Sequence, residues 1–320
     1  MKELFILVVV TVFTLVTYYL VEPFAHSQMH KHVESEKFAY ADLDASTKGI
    51  MEKMSTADAA RGHELVLGAG ACAGCHSIEA AGVPASMDAT TAAASYGVNP
   101  PDLSNMGAVL DAKFLADLIQ NPAHALKVEH KFDINKGQMH PMVAFYGAGG
   151  DTEQEIADMI KYLQSIAVKK EELTPAMAFE NACGRCHGVK YEKWTQIGET
   201  PKFKHEKDAL AFQIKLLDYE DSLKAYMGKL PPDLSMYIRS RGAHYIETFV
   251  ENPQNYLKGT AMPRVGVNEH AAEKVIEYLE DAGDTKRHER ESIGTYVMIY
   301  SLLFAIFAIL WKKQVWRDLH

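Results

Sequence analysis

Cys72-Ala73-Gly74-Cys75-His76 and Cys183-Gly184-Arg185-Cys186-His187 each set two thiols three residues apart, with an imidazole directly after the second. Positions i and i+3 of one helical turn face the same side. Both thiols of a pair can therefore add to the vinyl groups of one haem, and the next residue, His76 or His187, reaches its iron as an axial ligand. This is the attachment pattern of c-type haem. One copy alone competes with a chance match or with half a zinc site. Two copies in similar surroundings predict two covalently bound haem c groups, held through Cys72, Cys75, Cys183 and Cys186. The motifs use all 4 cysteines, so none remains for a disulfide framework.

An iron with one histidine takes a second axial ligand for electron transfer or keeps an open position for catalysis. A thioether favours ferrous iron and suits a high reduction potential. In the second copy Met262, followed by Pro263, stands on an expected loop ahead of the closing helix. The corresponding stretch of the first copy holds Met139 and Met142, and also His130 and His140. Met142 precedes Val143-Ala144-Phe145 much as Met262 precedes its own short run, which selects Met142, with Met139 as the alternative and a histidine as a third option. Met159 and Met177 fall on helix faces and read as core. No residue is singled out as catalytic.

The elements that must carry these side chains are also duplicated. Pro100-Pro101-Asp102-Leu103-Ser104 returns as Pro231-Pro232-Asp233-Leu234-Ser235. Phe114, Leu115, Leu118 and Ile119 match Tyr245, Ile246, Phe249 and Val250 at helical spacing. Each of these helices is expected to stop at Asn-Pro (Asn121-Pro122, Asn252-Pro253), because proline disfavours helical geometry in the residue before it. Closing helices follow, with apolar faces on Ile156, Met159, Ile160 and Leu163 and on Ala272, Val275, Ile276 and Leu279. Ser55 with Asp58 reads as a capping box opening the first helix, which Gly68 and Gly70 end before Cys72. Thr174 and Pro175 open the matching helix of the second copy. The fold class is all-α, with two tandem haem domains over 55–168 and 169–285. The second copy carries about 20 further residues within 188–230, with a helix expected over Ala209–Tyr226 and surface elaboration as the simplest role.

Two uncharged apolar runs flank this region, Leu4–Val21 and Ile293–Leu310. Each is long enough to cross a hydrocarbon core. The sequence after Val21 lacks a small-x-small cleavage site, which favours a retained anchor over a cleaved signal. The divisions are an anchor over 1–24, a connector over 25–54, a second anchor over 290–312 and a tail over 313–320. The connector contains His26, His30 and His32; a solvated stretch at the membrane surface is favoured there over a metal site. The basic tail (Lys312, Lys313, Arg317) predicts both termini in the cytoplasm and the haem motifs outside, in a bacterial periplasm. A formal net charge of -9 excludes nucleic acid as a partner and suits the steering of a basic one, such as a small cytochrome, as well as plain solubility.

Each repeat, with its helix, Cys-x-x-Cys-His motif, loop methionine and closing helix ending in Tyr-Leu (Tyr162-Leu163, Tyr278-Leu279), resembles a class I cytochrome c domain, and the tandem is similar to cytochrome c4. Met262-Pro263-Arg264 followed by one terminal helix with a basic, Trp-containing tail resembles the di-haem variant of cytochrome c1 in bacterial bc1 (quinol–cytochrome c reductase) complexes. The resemblance implies that electrons pass from a Rieske iron–sulfur protein to a soluble cytochrome c or terminal oxidase, beside a cytochrome b subunit, in a dimeric complex. The rival readings are the di-haem subunit of a cbb3-type oxidase, a membrane-tethered electron shuttle and a di-haem peroxidase. The predicted topology has a direct check: alkaline phosphatase fused after Leu173 should be active in cells, and fused after His320 inactive. The reverse result would invert the chain in the membrane.

Overall fold

The computed structural model describes residues 2–29, 35–132 and 136–317 and divides into two units, Met1–Glu36 and Lys37–His320. In the first unit, helix α1 (Lys2–Val16) runs through a π turn (Thr17–Val21) into α2 (Glu22–Met29). Its segment Phe5–Ala25 is long and apolar enough to cross a membrane. His30 and His32 of the connector lie outside the described residues.

The second unit is helical apart from one short antiparallel hairpin among the described residues. It opens with α3 (Asp44–Lys53). The first repeat contributes α4 (Ala59–Glu64, continued by a π turn over Leu65–Ala69), α5 (Ala89–Tyr96), α6 (Met106–Val109), α7 (Ala112–Gln120), α8 (Pro122–Ala125) and α9 (Thr152–Ile166). The second contributes α10 (Pro175–Ala182), the hairpin β1 (Trp194–Thr195) and β2 (Gly198–Glu199), α11 (Glu206–Met227), α12 (Tyr237–Arg241), α13 (Ala243–Glu251), α14 (Pro253–Tyr256) and α15 (Glu269–Gly283). A last helix, α16 (Arg287–Arg317), contains the second span long and apolar enough for a membrane, Ser292–Arg317. Ion pairs from Arg287 to Glu280 and from Arg290 to Asp284 fix its first turns to the end of α15.

The sequence signals act where expected. Both α7 and α13 stop one residue before Asn-Pro, at asparagines with nearly identical extended backbone, and each proline becomes the first residue of the next helix. Thr174 Oγ1 accepts from Met177 N at 3.2 Å and caps α10. One start differs: Asp58, not Ser55, caps α4, accepting from Ala60 N at 2.7 Å. A 3₁₀ turn over Met54–Thr56 closes α3 immediately before it, and Ser55 Oγ turns back to Glu52 O. First and last helices of repeat one cross at Gly62, where a Cβ would lie 2.0 Å from Asp158 O. The buried Asp158 carboxylate beside that crossing accepts from Asp58 N and Arg61.

One expectation is overturned. The stretch 37–54, expected as part of a solvated connector, is folded into the unit, with Phe38, Tyr40, Leu43 and Ile50 buried. Leu43, Ile50 and Met54 do fall at helical spacing, but with Thr47 between them and charges around they form too sparse a stripe to mark the stretch as core. The two repeats share a core. Val109 and Phe114 of the first repeat pack in one cluster with Phe179, Ile246, Val250, Val267 and Val275 of the second. The backbones pair there: Asp111 N donates to Gly266 O and Asn268 N to Val109 O, each at 2.9 Å. Gly266, at positive φ, lies so close to Phe114 that a Cβ would sit 2.0 Å from its ring.

Arg264 seals this junction. It is 1% exposed, between the rings of Tyr40 and Phe114. Nε donates to Ala125 O (2.9 Å), Nη1 to Asp42 (2.7 Å), and its backbone N to Leu126 O (3.1 Å). Burial pushes the Asp42 carboxyl up, but Arg264 and Lys127 outweigh it and hold it below the usual carboxylate range. Stability from this lowered acid is present above about pH 4 and is lost as the pH falls through and below that value. Asp42→Asn should cost on the order of 2 kcal/mol at pH 7, less than a fully buried pair because Asp42 is 40% exposed. In denaturant unfolding the gap between wild type and variant should narrow toward pH 3. A gap independent of pH would reject the pair as its cause.

Candidate functional site

Each Cys-x-x-Cys-His motif is one closed helical turn. His76 N donates to Cys72 O and His187 N to Cys183 O, both at 2.9 Å, which puts the two sulfurs of each pair on one side. In the second copy the turn follows directly from α10, with Cys183 N bonded to Phe179 O. In the first, Ala71 at positive φ separates the turn from the π segment that ends α4. None of the four cysteines is in a disulfide. Burial pushes the thiols of Cys72, Cys183 and Cys186 up, Cys183 to about 12, so they are neutral at physiological pH, unlike redox thiolates. No cluster of three or more metal-ligating side chains accompanies either pair among the described residues.

The repeated Pro-Pro-Asp-Leu-Ser segment turns out to position the histidines. His76 Nδ1 donates to Pro101 O and His187 Nδ1 to Pro232 O, both at 2.8 Å. A carbonyl only accepts, so the proton sits on Nδ1 and Nε2 keeps its lone pair for a metal. Burial holds both imidazoles below their usual range, hence neutral at pH 7, while the bond to the proline carbonyl opposes the shift. The rest of the segment clamps the loop after each histidine. Asp102 accepts from Glu79 N and Asp233 from Lys190 N, each at 3.0 Å. Ser104 Oγ accepts from Ala80 N and Ser235 Oγ from Tyr191 N. The repeat itself was visible in the sequence, but nothing in it marked Pro101 and Pro232 as acceptors for the histidines.

The methionine loops are held from across the repeat boundary. In the first, Met142 is half-buried and Met139 is 67% exposed. Met142 N donates to His140 Nδ1 (3.1 Å), and His140 Nε2 donates to the Tyr226 hydroxyl (3.1 Å) on α11 of the other repeat. Both nitrogens of His140 are thereby taken, and His130 is exposed. Lys131 Nζ reaches Met227 O at 2.5 Å. In the second loop Met262 is half-buried; its carbonyl accepts from Gln254 Nε2 at 2.6 Å, and Arg264, two residues on, is bonded to Ala125 and Leu126 of the first repeat.

The insertion of the second copy is therefore no surface elaboration. Its helix α11 buries Tyr219, Leu223 and Met227 against Ala93 of α5, with Cys186 at the edge of that cluster. Tyr219 donates to Arg185 O (2.8 Å) inside the second motif and accepts from Asn99 N (3.3 Å) just before Pro100-Pro101.

These residues fit haem c: paired thiols on one turn, an oriented histidine beside them, and, at Arg185 Nε, a buried donor with no protein partner. The cytochrome c family profile matches residues 59–167, and this stretch is a cytochrome c domain. The chain is 24% identical over 209 aligned residues, 45% of its length and 83% of the relative's, to a protein named cytochrome c1 from Allochromatium vinosum. A solved chain from a hyperthermophilic respiratory Complex III aligns with 49% of this chain and 79% of its own at TM-score 0.36 and 22% identity.

Asp102→Ala should leave the backbone N–H groups of Glu79 and Ser104 without their acceptor and cost about 1–2 kcal/mol. Asp233→Ala should cost a similar amount in the second copy. Thermal unfolding of the haem-loaded protein measures both. Two neutral substitutions would show that the clamp does not hold the histidine loops.

Proposed function

We propose that this chain is a membrane-anchored di-haem c-type cytochrome, the cytochrome c1-type electron-transfer subunit of a quinol–cytochrome c reductase. The observation that carries the di-haem reading is the duplication, within one folded unit, of the histidine-to-proline bond at 2.8 Å. In this reading Cys72, Cys75, Cys183 and Cys186 carry the haems, and His76 and His187 are the proximal ligands. When bound, each haem supplies a single iron that holds or releases one electron. The chain attaches it, fixes its axial ligands and limits water at its edge.

Met142 and Met262 are the proposed distal ligands. Their half-burial supports this, as does the engagement of His140 by Met142 and Tyr226, whereas the exposure of Met139 counts against it. A methionine offered to each iron argues against a peroxidase, which needs an open position. The likeness to a protein named cytochrome c1 favours the reductase over the oxidase subunit or a free shuttle. The partners would be cytochrome b and a Rieske iron–sulfur protein as donor, with a soluble cytochrome c or terminal oxidase as acceptor, in a dimeric complex. Phe5–Ala25 and Ser292–Arg317 would anchor the chain in the bacterial inner membrane, with the haem motifs on the periplasmic side and both termini cytoplasmic.

Gentle detergent purification of the tagged chain should bring down a cytochrome b and a Rieske protein and give quinol-dependent cytochrome c reduction. Co-purification with oxidase subunits instead, or purification of the chain alone, would defeat the reductase assignment. Independently, pyridine haemochrome assay should count two covalent haems, falling to one in Cys72→Ser/Cys75→Ser.

A further inference from the structure

Met262 is held at both of its backbone groups by side chains of its own repeat. Its N–H donates to Thr260 Oγ1 at 3.4 Å, and its carbonyl accepts from Gln254 Nε2 at 2.6 Å. Gln254 is the second residue of α14, a turn opened by the buried Pro253. The last residue of that turn, Tyr256, packs edge-on against Tyr245 and Phe249 of α13, with ring centroids 4.8 and 6.0 Å apart. The amide therefore reaches the methionine from a packed turn rather than from the loop itself.

Stability alone does not account for an amide at this position. A carbonyl only accepts, so Nε2 faces Met262 and Oε1 is the other end of the group, buried without a donor among the described residues. An unpaired buried acceptor costs about as much as the hydrogen bond to Met262 contributes. The first repeat has no such amide. Asn121-Pro122 is followed by Ala123 where Asn252-Pro253 is followed by Gln254, and Met142 is held through His140 and Tyr226 instead. What Gln254 adds is a fixed peptide plane at Met262, from which the thioether extends.

We propose that Gln254 is the positioning residue on the distal side of the second haem, fixing the Met262 peptide so that the thioether is held at the iron against competing ligands. The inference rests on the reading of Met262 as an axial ligand. Outer partners that orient a metal ligand contribute roughly 10–100-fold to its hold. The path of the loop does not depend on the amide, because Arg264 N, two residues on, is bonded to Leu126 O at 3.1 Å. Losing the amide should thus loosen the ligand and leave the fold in place.

The test uses the purified, haem-loaded full chain as wild type, Gln254→Leu and Met262→Ala. Each is followed by thermal unfolding and by titration of the oxidised protein with imidazole, read in the visible spectrum. Gln254→Leu keeps most of the volume and removes the donor together with the orphaned acceptor, so its unfolding temperature should stay close to that of wild type. One of its haems should bind imidazole roughly tenfold more tightly than in wild type, and the far-red methionine-to-iron band should fade at correspondingly lower imidazole. Wild-type imidazole affinity in Gln254→Leu would overturn the inference. A Met262→Ala protein that keeps the whole band would instead overturn the ligand reading beneath it. If Gln254→Leu loads no haem, Gln254→Ala, which copies the first repeat, is judged by the same criteria. Failure of both to fold, or a large drop in unfolding temperature in both, would make the amide structural and equally overturn the inference.

Discussion

Taking a guanidinium out of water costs several kcal/mol unless its charge and its hydrogens are matched. For Arg264, whose Nη2 alone is left without a protein partner, the arginine and the groups that match it come from three separate parts of the chain. Asp42 arrives from the segment ahead of α3, the Ala125 carbonyl ends α8 of the first repeat, and the arginine itself belongs to the methionine loop of the second. Its backbone N–H is spent on Leu126 O, again in the first repeat. None of these contacts can form within one repeat, so the second loop reaches its native path only when the first repeat is in place. The burial of Phe38, Tyr40 and Leu43 follows from the same requirement, because Asp42 comes to Arg264 only if its neighbours pack beneath it.

The dependence runs the other way as well. The segment bearing Met142 lies between Ala125, the end of α8, and Thr152, the start of α9, and it is anchored by Tyr226 and Met227 at the end of α11 in the second repeat. Each methionine loop is thus held by the opposite repeat. A duplicated single-haem domain needs no such exchange to bind its cofactor, since thioether bonds hold a haem whatever the loops do. What reciprocal anchoring adds is a fixed relation between the two sites, through packed side chains rather than a flexible linker. The short 3₁₀ turn over Lys170–Glu172, which joins the repeats in sequence, contributes little to that relation beside the shared core.

What was legible in the sequence follows from how local each signal is. The helix ends at Asn121-Pro122 and Asn252-Pro253 depend on a steric clash between adjacent residues, and both appear where expected. The cap at Thr174, the closed turns of the attachment motifs and the two apolar spans are equally local. What could not be read depends on tertiary contact. The Pro-Pro-Asp-Leu-Ser repeat was plain, but its role is played by two backbone carbonyls, and any residue carries a carbonyl. Arg264 stood in a recognised segment, yet nothing local says that an arginine between Pro263 and Val265 is buried. The helix over 206–227 was expected nearly to its ends, whereas its face toward α5 was not. Its apolar residues lie on more than one side, with Leu210, Ile214 and Leu217 exposed, so pattern alone did not select Tyr219, Leu223 and Met227 as the buried set.

The asymmetry between the copies then has a physical reason. Without the insertion, the segment leading to Pro101 would lose the acceptor of its Asn99 N–H. Tyr219 of the insertion bonds both Asn99 and Arg185, and Tyr226 closes over His140 at the far end of the same helix. One helix therefore braces the proximal side of the first motif, the attachment turn of the second and the loop carrying Met142. On the di-haem reading, that is the arrangement electron exchange within a single chain requires, because the rate depends on a separation and an orientation that thermal motion must not blur. Tyr219 and Tyr226, seven residues apart and two turns along one face of α11, set the spacing of those braces by helix geometry alone.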